Sequence, residues 1–122
     1  MNQVKLQEKY QLYIGGQWRD ASNGATFNST CPANGAHLAT CANATHEDVD
    51  AAVDAAWKAF ATWKNTTAAQ RADILNKVAD IIDANAEHLA MVESMDNGKP
   101  IRETMAIDIP YSSAHFRYFA GC

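Results

Sequence analysis

The stretch THEDVDAAVDAAWKAFATW, residues 45–63, decides how the second half of the chain folds. Thr45 is placed to cap the free backbone N–H groups of a helix, and the acidic residues after it suit the positive end of the helix dipole. Apolar residues then recur every three or four positions, which predicts one continuous apolar stripe on that helix. The stripe consists of Val49, Ala52, Val53, Ala56, Trp57 and Phe60.

Three more helices are predicted downstream of this stretch. Residues 67–70, TAAQ, have the spacing of a capping box, and the second helix carries its stripe at Leu75, Val78, Ala79 and Ile82. Asn85 separates it from a shorter third helix that carries Leu89, Val92 and Met95, and Asn97-Gly98 ends that helix. The last helix is expected to run to about Phe119. Pro110 cannot donate a backbone hydrogen bond, so we place it in the first turn of this helix, with Asp108 near the cap.

Upstream of Ala44 the sequence is rich in turns and strand formers. Gly15-Gly16 between residues 12–14 and 17–18 predicts a tight hairpin, because the favoured two-residue turns need positive φ angles. Residues 26–29 and 37–41 predict a second pair of strands, in which Cys41 lies opposite about Phe27 and Cys31 opposite about His37. Because these strands are all of the hairpin type, we expect any sheet to be small and antiparallel.

Composition limits the function classes. The chain has 122 residues, 48 % of them hydrophobic, and a net charge of −4, so it suits one folded domain and disfavours nucleic acid as a partner. No apolar run approaches the ~20 residues of a membrane span, and the polar start is unlike a secretory signal. The three cysteines form no close pair, which favours a reducing, cytoplasmic setting without disulfides.

Clusters of polar residues suggest chemistry only weakly. His46, Glu47, Asp48 and Asp50 resemble a metal-ligand set, but a solvated helix N-terminus explains them better. Asp80 and Asp83, with Glu87, could be interpreted as paired carboxylates for acid–base catalysis, but a solvated face of a helix is the simpler interpretation. None of Cys31, Cys41 and Cys122 has the setting of a nucleophile, and the sequence contains neither GxGxxG nor GxxxxGK[ST].

Taken in order, the stretch from Tyr13 to Gly121 resembles the opening of the NAD(P)-dependent aldehyde dehydrogenase superfamily. The most specific pieces are DNGKP, residues 96–100, and RYFAG, residues 117–121, which follow the Gly-Gly hairpin at the family's spacing. NGKPIRET together with HFRYFA is similar to the bacterial acetaldehyde-type and aliphatic branch. The resemblance implies that residues 1–122 form the N-terminal part of a cofactor-binding domain.

The resemblance also implies what the chain does and does not carry. In the full-length family a cysteine thiolate attacks an aldehyde, hydride passes to NAD or NADP, and water releases the carboxylic acid. The glycine-rich cofactor turn, the general-base glutamate and the nucleophilic cysteine belong to later parts of the family's sequence. We therefore assign no catalytic or cofactor-binding residue here and expect this chain, as a scaffold, to be inactive alone.

One binding feature carries over by resemblance. Many family members hold a structural monovalent cation, Na⁺ or K⁺, with two backbone carbonyls and an acidic side chain. The matching positions are Ser29, Thr30 and Asp108, although Cys31 stands where Asn is commoner and Pro110 lies close to Asp108. A simple helix cap is the alternative role for Asp108.

These observations combine into one expectation about fold and function. We predict an α+β, mainly α-helical part of the family's Rossmann-like domain, with residues 1–11 as a leader, 12–44 as a β-hairpin region and 45–122 as three or four helices. Its apolar helix faces are expected to promote self-association. The alternative is a self-standing helical module that binds itself or an intact dehydrogenase subunit.

Overall fold

The computed structural model describes residues 4–122, which divide into two compact units. One unit consists of residues 5–30 and 35–65, and the other consists of residue 4 with residues 31–34 and 66–122. Residues 1–3, the start of the expected leader, lie outside the described residues. The expected boundary at residue 44 separates strands from helices, but the first helix shares its unit with the strands.

The described residues form five short strands. Their bounds are β1 (Lys9–Tyr10), β2 (Leu12–Ile14), β3 (Gln17–Arg19), β4 (Thr26–Thr30) and β5 (His37–Ala42). Strands β2 and β3 form the expected antiparallel hairpin, and the turn residues Gly15 and Gly16 have φ angles of 60° and 82°. Two-residue hairpin turns with positive φ at both central positions favour glycine there, because glycine adopts positive φ without steric cost.

A second sheet has the order β1-β5-β4. In its antiparallel pair β4–β5, Phe27 lies opposite Cys41 as expected, whereas Thr30 rather than Cys31 lies opposite His37. The prediction that any sheet is antiparallel is wrong, because β1 pairs with β5 in parallel and Thr40 N–H donates to the Glu8 carbonyl at 3.0 Å. Strand β5 has a second edge with backbone groups free to pair, and residues 9–10 of the expected leader form strand β1 along that edge.

The first three helices follow the sequence closely. They are α1 (His46–Trp63), α2 (Ala68–Ala84) and α3 (Ala86–Asn97). Thr45 and Thr67 each form a complete capping box, and Asn85 ends α2 and precedes α3. Gly98 ends α3 with φ 80°, the left-handed conformation that the Asn-Gly pair predicted.

The last helical run differs from the prediction. It begins at Ile101 as α4 (Ile101–Glu103), continues as a π-helical segment (Thr104–Asp108) and ends as α5 (Ile109–Ala120). Pro110 therefore lies inside a continuous run, directly after the π-helical segment. Asp108 stands at the N-cap position of α5 with Pro110 in the first turn, as expected, but it has helical φ and ψ angles and its side chain makes no capping hydrogen bond.

The larger unit is held together by close helix contacts and one ion-pair cluster. Helix α2 packs against α5, and α3 packs against the π-helical segment. Ala79, Ala90 and Thr104 are fully buried. At the surface, Arg117 Nη2 on α5 lies 2.8 Å from Asp80 Oδ1 and 2.7 Å from Asp83 Oδ2 on α2. These two carboxylates are thus ion-paired rather than a merely solvated face.

We predict that Gly98→Ala destabilises the chain more than Gly24→Ala. Both glycines have positive φ angles, but a Cβ at position 98 would lie 2.9 Å from Cγ of Pro32, whereas no atom lies within 4 Å at position 24. Gly24→Ala should cost about 1 kcal/mol of unfolding free energy, and Gly98→Ala roughly 1–3 kcal/mol more. Urea denaturation followed by circular dichroism measures both losses, and equal losses would contradict the steric argument.

We also predict that Arg117 governs part of the acid sensitivity. The Ser113 hydroxyl and the Arg117 guanidinium hold the pKa of Asp83 below its ordinary value. When the pKa of a carboxyl group is lower in the folded than in the unfolded chain, its ionised form stabilises the fold. That stabilisation is fully present at pH values above the pKa of the unfolded chain, and it is lost as the pH falls through the pKa of the folded chain. Arg117→Met should therefore be less stable at pH 7 and lose less stability between about pH 5 and pH 2.

Urea midpoints at pH 7 and pH 3 provide the measurement for this acid effect. The matched control is Arg102→Met, because the Arg102 side chain is 82 % exposed and its guanidinium lies 3.6 Å from the carboxylate of the adjacent Glu103. This control should follow the wild type at both pH values. If the Arg117→Met curve runs parallel to the wild-type curve, the ion pairs do not contribute to acid sensitivity.

Candidate functional site

Two of the three expected cation ligands lie at the end of β4. Ser29 pairs with Ala39 and Thr30 pairs with His37, and the ladder between β4 and β5 shifts register between these two pairs. An irregularity of this kind changes the directions of successive backbone groups. The two carbonyls assigned by resemblance thus belong to a distorted stretch of strand.

The third expected ligand, Asp108, is bound by a lysine. Lys99 Nζ lies 2.6 Å from Asp108 Oδ2, and the carboxylate group is about one-quarter exposed. Hydrogen bonding to Asp108 raises the pKa of Lys99 above its ordinary value. The Asn97 side chain accepts a hydrogen bond from Lys99 N–H at 2.8 Å and thereby helps to fix the turn that carries Lys99.

Asp48 is buried, which corrects its interpretation as part of a solvated helix end. Its Oδ2 accepts hydrogen bonds from the backbone N–H groups of Thr45 at 2.9 Å and Ser22 at 3.0 Å. Hydrogen bonds from Thr45 and then Ser22 hold the pKa of Asp48 below its ordinary value. Asp48 therefore ties the loop before β4 to the start of α1, which is a structural role.

Residues 4–122 contain no group of three or more His, Cys, Asp or Glu side chains that could hold a metal ion. The cysteines are free: Cys31 is buried, Cys41 is half-buried and Cys122 is exposed. Within the same range no helix has the length and apolar character needed to cross a membrane.

The outward side of α1 is a large exposed apolar surface, which we call the α1 face. Trp57 is 67 % exposed and Phe60 is 46 % exposed, and the two rings lie edge to face with their centroids 5.8 Å apart. With Val53 and Ala56 they line an open groove of about 300 Å³. Five of the six residues in the stripe predicted from the sequence are exposed, with Ala52 half-buried. The groove contains almost no polar group.

A second aromatic surface, the α5 face, runs along the last helix. Tyr118 is 69 % exposed and Tyr111 is 66 % exposed, and the Tyr111 ring contacts the His115 ring edge to face at 4.2 Å. Ala114 and Phe119 complete an open groove of about 470 Å³. Contiguous exposed apolar surface of this kind is typical of a packing or binding surface.

Some functional candidates were invisible in the sequence. Lys99 and Arg117 bind carboxylates 9 and 37 residues away, and no local pattern predicts such pairs. Thr104 looked like an ordinary helical residue, yet its hydroxyl lies 3.0 Å from the Ala90 carbonyl oxygen inside the unit. The three cysteines and Asp50 have no catalytic assignment from the sequence, and among residues 4–122 no group of three or more His, Cys, Asp or Glu side chains could hold a metal ion.

The comparisons with known proteins agree on one family. The profile of the aldehyde dehydrogenase family matches residues 18–122. The chain is 50 % identical over 115 residues to "Acetaldehyde dehydrogenase 2" of Cupriavidus necator, a match that covers 94 % of this chain and 23 % of that protein.

Solved structures give the same result. A crystal structure of a putative aldehyde dehydrogenase from Burkholderia cenocepacia superimposes with a TM-score of 0.91 and 44 % identity, covering 94 % of this chain and 24 % of that one. The NAD⁺ complex of an aldehyde dehydrogenase from Bacillus cereus gives a TM-score of 0.90 with 37 % identity over 97 % of this chain and 26 % of that one.

The chain thus spans about a quarter of the length of the relatives it matches. Within that quarter, the sequence pieces DNGKP and RYFAG occupy the end of α3 with its following turn and the end of α5. The prediction of a mainly helical part of a larger domain, with three or four helices after short strands, is confirmed, and the structure has four helical runs. On the family profile and these similarities, this chain belongs to the aldehyde dehydrogenase family.

Proposed function

We propose that this chain is the N-terminal scaffold of the cofactor domain of an NAD(P)-dependent aldehyde dehydrogenase. The observation that carries the proposal is the match to the family over residues 18–122, at a TM-score of 0.91, within a quarter of a relative's length. The whole protein would oxidise an aldehyde to a carboxylic acid. The name of the Cupriavidus necator relative makes acetaldehyde the first substrate to test.

The α5 face supports a scaffolding role. Its aromatic side chains are too exposed to stabilise the unit that contains them, as Tyr111, Tyr118 and Phe119 are each at least 59 % exposed. Burial of such rings contributes stabilisation only when another layer covers them. We propose that the covering layer is the remaining part of the dehydrogenase domain.

The described residues do not fit a nucleotide cradle of their own. A dinucleotide pyrophosphate is held by a glycine-rich turn that joins a strand to a helix N-terminus. Here Gly15-Gly16 joins two strands and Gly98 ends a helix. We therefore assign no step of hydride transfer to this chain, and NAD or NADP belongs to the proposal for the whole protein.

Two further parts of the proposal concern location and ions. We place the protein in the cytoplasm, because its cysteines are free and a reducing compartment keeps them so. We retain the monovalent-cation site at the Ser29 and Thr30 carbonyls and the Asp108 carboxylate as a proposal. A bound Na⁺ or K⁺ would share that carboxylate with Lys99, which already neutralises its charge.

The cation proposal predicts an ion-specific effect on stability. At constant ionic strength, the thermal midpoint should be higher in KCl or NaCl than in tetramethylammonium chloride, because only the small ions fit between oxygen ligands. Asp108→Asn should abolish that difference, and Asp96→Asn, a change on another helix, should preserve it. Equal midpoints in the three salts would contradict a site for Na⁺ or K⁺.

The scaffold proposal predicts that this chain can replace the matching segment of a related dehydrogenase without loss of its activity. We expect a chimera, in which this chain replaces the matching segment of the Cupriavidus necator relative, to form NADH from acetaldehyde and NAD⁺. The relative without that segment, and this chain alone, should form none. Absorbance at 340 nm measures the activity of all three proteins.

Variants of the chimera locate the packing surface. Phe119→Glu places a charge on the α5 face and should reduce both the yield of folded chimera and its activity at least tenfold, because a buried unpaired charge is costly. The matched control Asn76→Glu adds the same charge at an exposed position on α2 and should change little. Activity of the segment-free relative, or of this chain alone, would overturn the proposal.

A further inference from the structure

Asparagine precedes glycine at three places in the chain, at residues 23–24, 34–35 and 97–98. This pair is chemically labile, because the glycine amide nitrogen can attack the side-chain amide carbon of the asparagine and no Cβ of the glycine obstructs the approach. All six residues are exposed, and each of the three glycines has a positive φ angle. Exposure and backbone region therefore do not distinguish the three pairs.

Two of the three glycine N–H groups are bound to backbone carbonyls. The Gly24 N–H donates to the Ala21 carbonyl at 2.8 Å, and the Gly98 N–H donates to the Ser94 carbonyl at 3.0 Å at the end of α3. A bound N–H must first leave its acceptor before the nitrogen can lose its proton and attack the asparagine. These two hydrogen bonds therefore hold their pairs in an unreactive arrangement.

The asparagine side chains of the same two pairs are also held in place. Oδ1 of Asn97 accepts a hydrogen bond from the Lys99 N–H at 2.8 Å, and its Nδ2 donates to Glu93 Oε1 at 3.3 Å. Oδ1 of Asn23 accepts from the Ala25 N–H at 2.9 Å. The carboxamide group and the glycine nitrogen would both have to move before these pairs could react.

The Gly35 N–H differs from the other two. It lies in the connection between β4 and β5, and it donates to no acceptor among residues 4–122. The neighbouring hydrogen bond of this connection runs from the Asn34 N–H to the Cys31 carbonyl at 3.4 Å and does not include the Gly35 nitrogen. A Cβ on Gly35 would lie within 4 Å of no atom, so the space beside this backbone segment is open. The nitrogen at position 35 therefore has no hydrogen bond to break before it attacks.

We propose that Asn34 is a site of spontaneous deamidation in this protein and that Asn23 and Asn97 are protected from it. The Gly35 nitrogen loses its proton and forms a bond to Cγ of Asn34, and the bond from Cγ to Nδ2 breaks. Ammonia leaves, and a five-membered succinimide ring remains. Water then opens the ring at either carbonyl, which gives aspartate or isoaspartate without any oxidation or reduction. This inference does not rest on the proposed function, because only the backbone and one side chain of this chain take part.

Both products change the connection between β4 and β5. Each adds a negative charge to a chain whose net charge is −4. In the isoaspartyl product the main chain also passes through Cβ, which lengthens the connection between Thr30 and His37, the last pair of the β4–β5 ladder. Because the connection between two strands helps to fix their register, the isoaspartyl product alters the structure of the hairpin as well as its charge.

Incubation of the purified chain in mildly alkaline buffer, followed by proteolysis and peptide mass spectrometry, tests the proposal. The rate of deamidation at each asparagine is measured in the native and in the urea-denatured chain, so that each site serves as its own reference. We expect native and denatured rates to be similar at Asn34, and the native rates at Asn23 and Asn97 to be roughly tenfold lower than the denatured ones. A tenfold difference corresponds to about 1.4 kcal/mol, within the range of one hydrogen bond.

Two matched variants identify the source of the modified chain. Ion-exchange chromatography separates the more acidic product from the unmodified chain. Asn34→Ser should remove most of this product, whereas Asn23→Ser should leave its rate of formation unchanged. Serine suits both positions, because its hydroxyl group can form the local turn hydrogen bonds of asparagine more weakly.

Three results would overturn the proposal. They are equal protection of the three asparagines by the fold, native deamidation that is faster at Asn23 or Asn97 than at Asn34, and an acidic product that still forms at the wild-type rate in Asn34→Ser. The first result would show that the hydrogen bonds of Gly24 and Gly98 do not control the reaction. The other two would place the reactive site elsewhere in the chain.

Discussion

Close helix packing through small side chains is the constraint on which the larger unit depends. Ala79 and Ala90 lose all their solvent-exposed surface, and Thr104 is the largest side chain that is fully buried among the described residues. Helices that approach through alanine leave little space for large residues between them. The bulky side chains of these helices are therefore displaced to the outside, where the α5 face presents them to solvent.

Thr104 shows how this close packing shapes the last helical run. Its hydroxyl lies 2.9 Å from Ser94 Oγ and 3.0 Å from the Ala90 carbonyl oxygen, so the π-helical segment is joined to α3 by side-chain polar contacts. Its own carbonyl accepts from Ile109 N–H, five residues on. The wider turn suits a run in which Pro110 has no N–H to offer the carbonyl four residues earlier. Proline is thus accommodated inside the run without breaking it.

The sequence predicted those features that depend on neighbouring residues. Both capping boxes, the Gly15-Gly16 turn and the left-handed Gly98 follow from local hydrogen bonding and φ preferences, and the structure has them where expected. The parallel strand β1 was missed because two residues of mixed polarity carry no strand signal by themselves. The π-helical segment was missed for a related reason, since a proline indicates either a first turn or an internal adjustment, and only packing decides between them.

In the candidate site, too, the sequence predicted features set by neighbouring residues and missed those set by residues far away in the chain. Asp48 was correctly placed at the start of a helix, but its burial depends on Ser22, which lies 26 residues earlier. The acidic set at residues 46–50 therefore contains one buried structural carboxylate, Asp48, and two exposed carboxylates, Glu47 and Asp50. The periodicity of α1 likewise identified an apolar stripe without saying which side the unit uses. The half-buried alanines of α1 lie on its inner side, and the large apolar residues of the stripe are the ones that stay exposed.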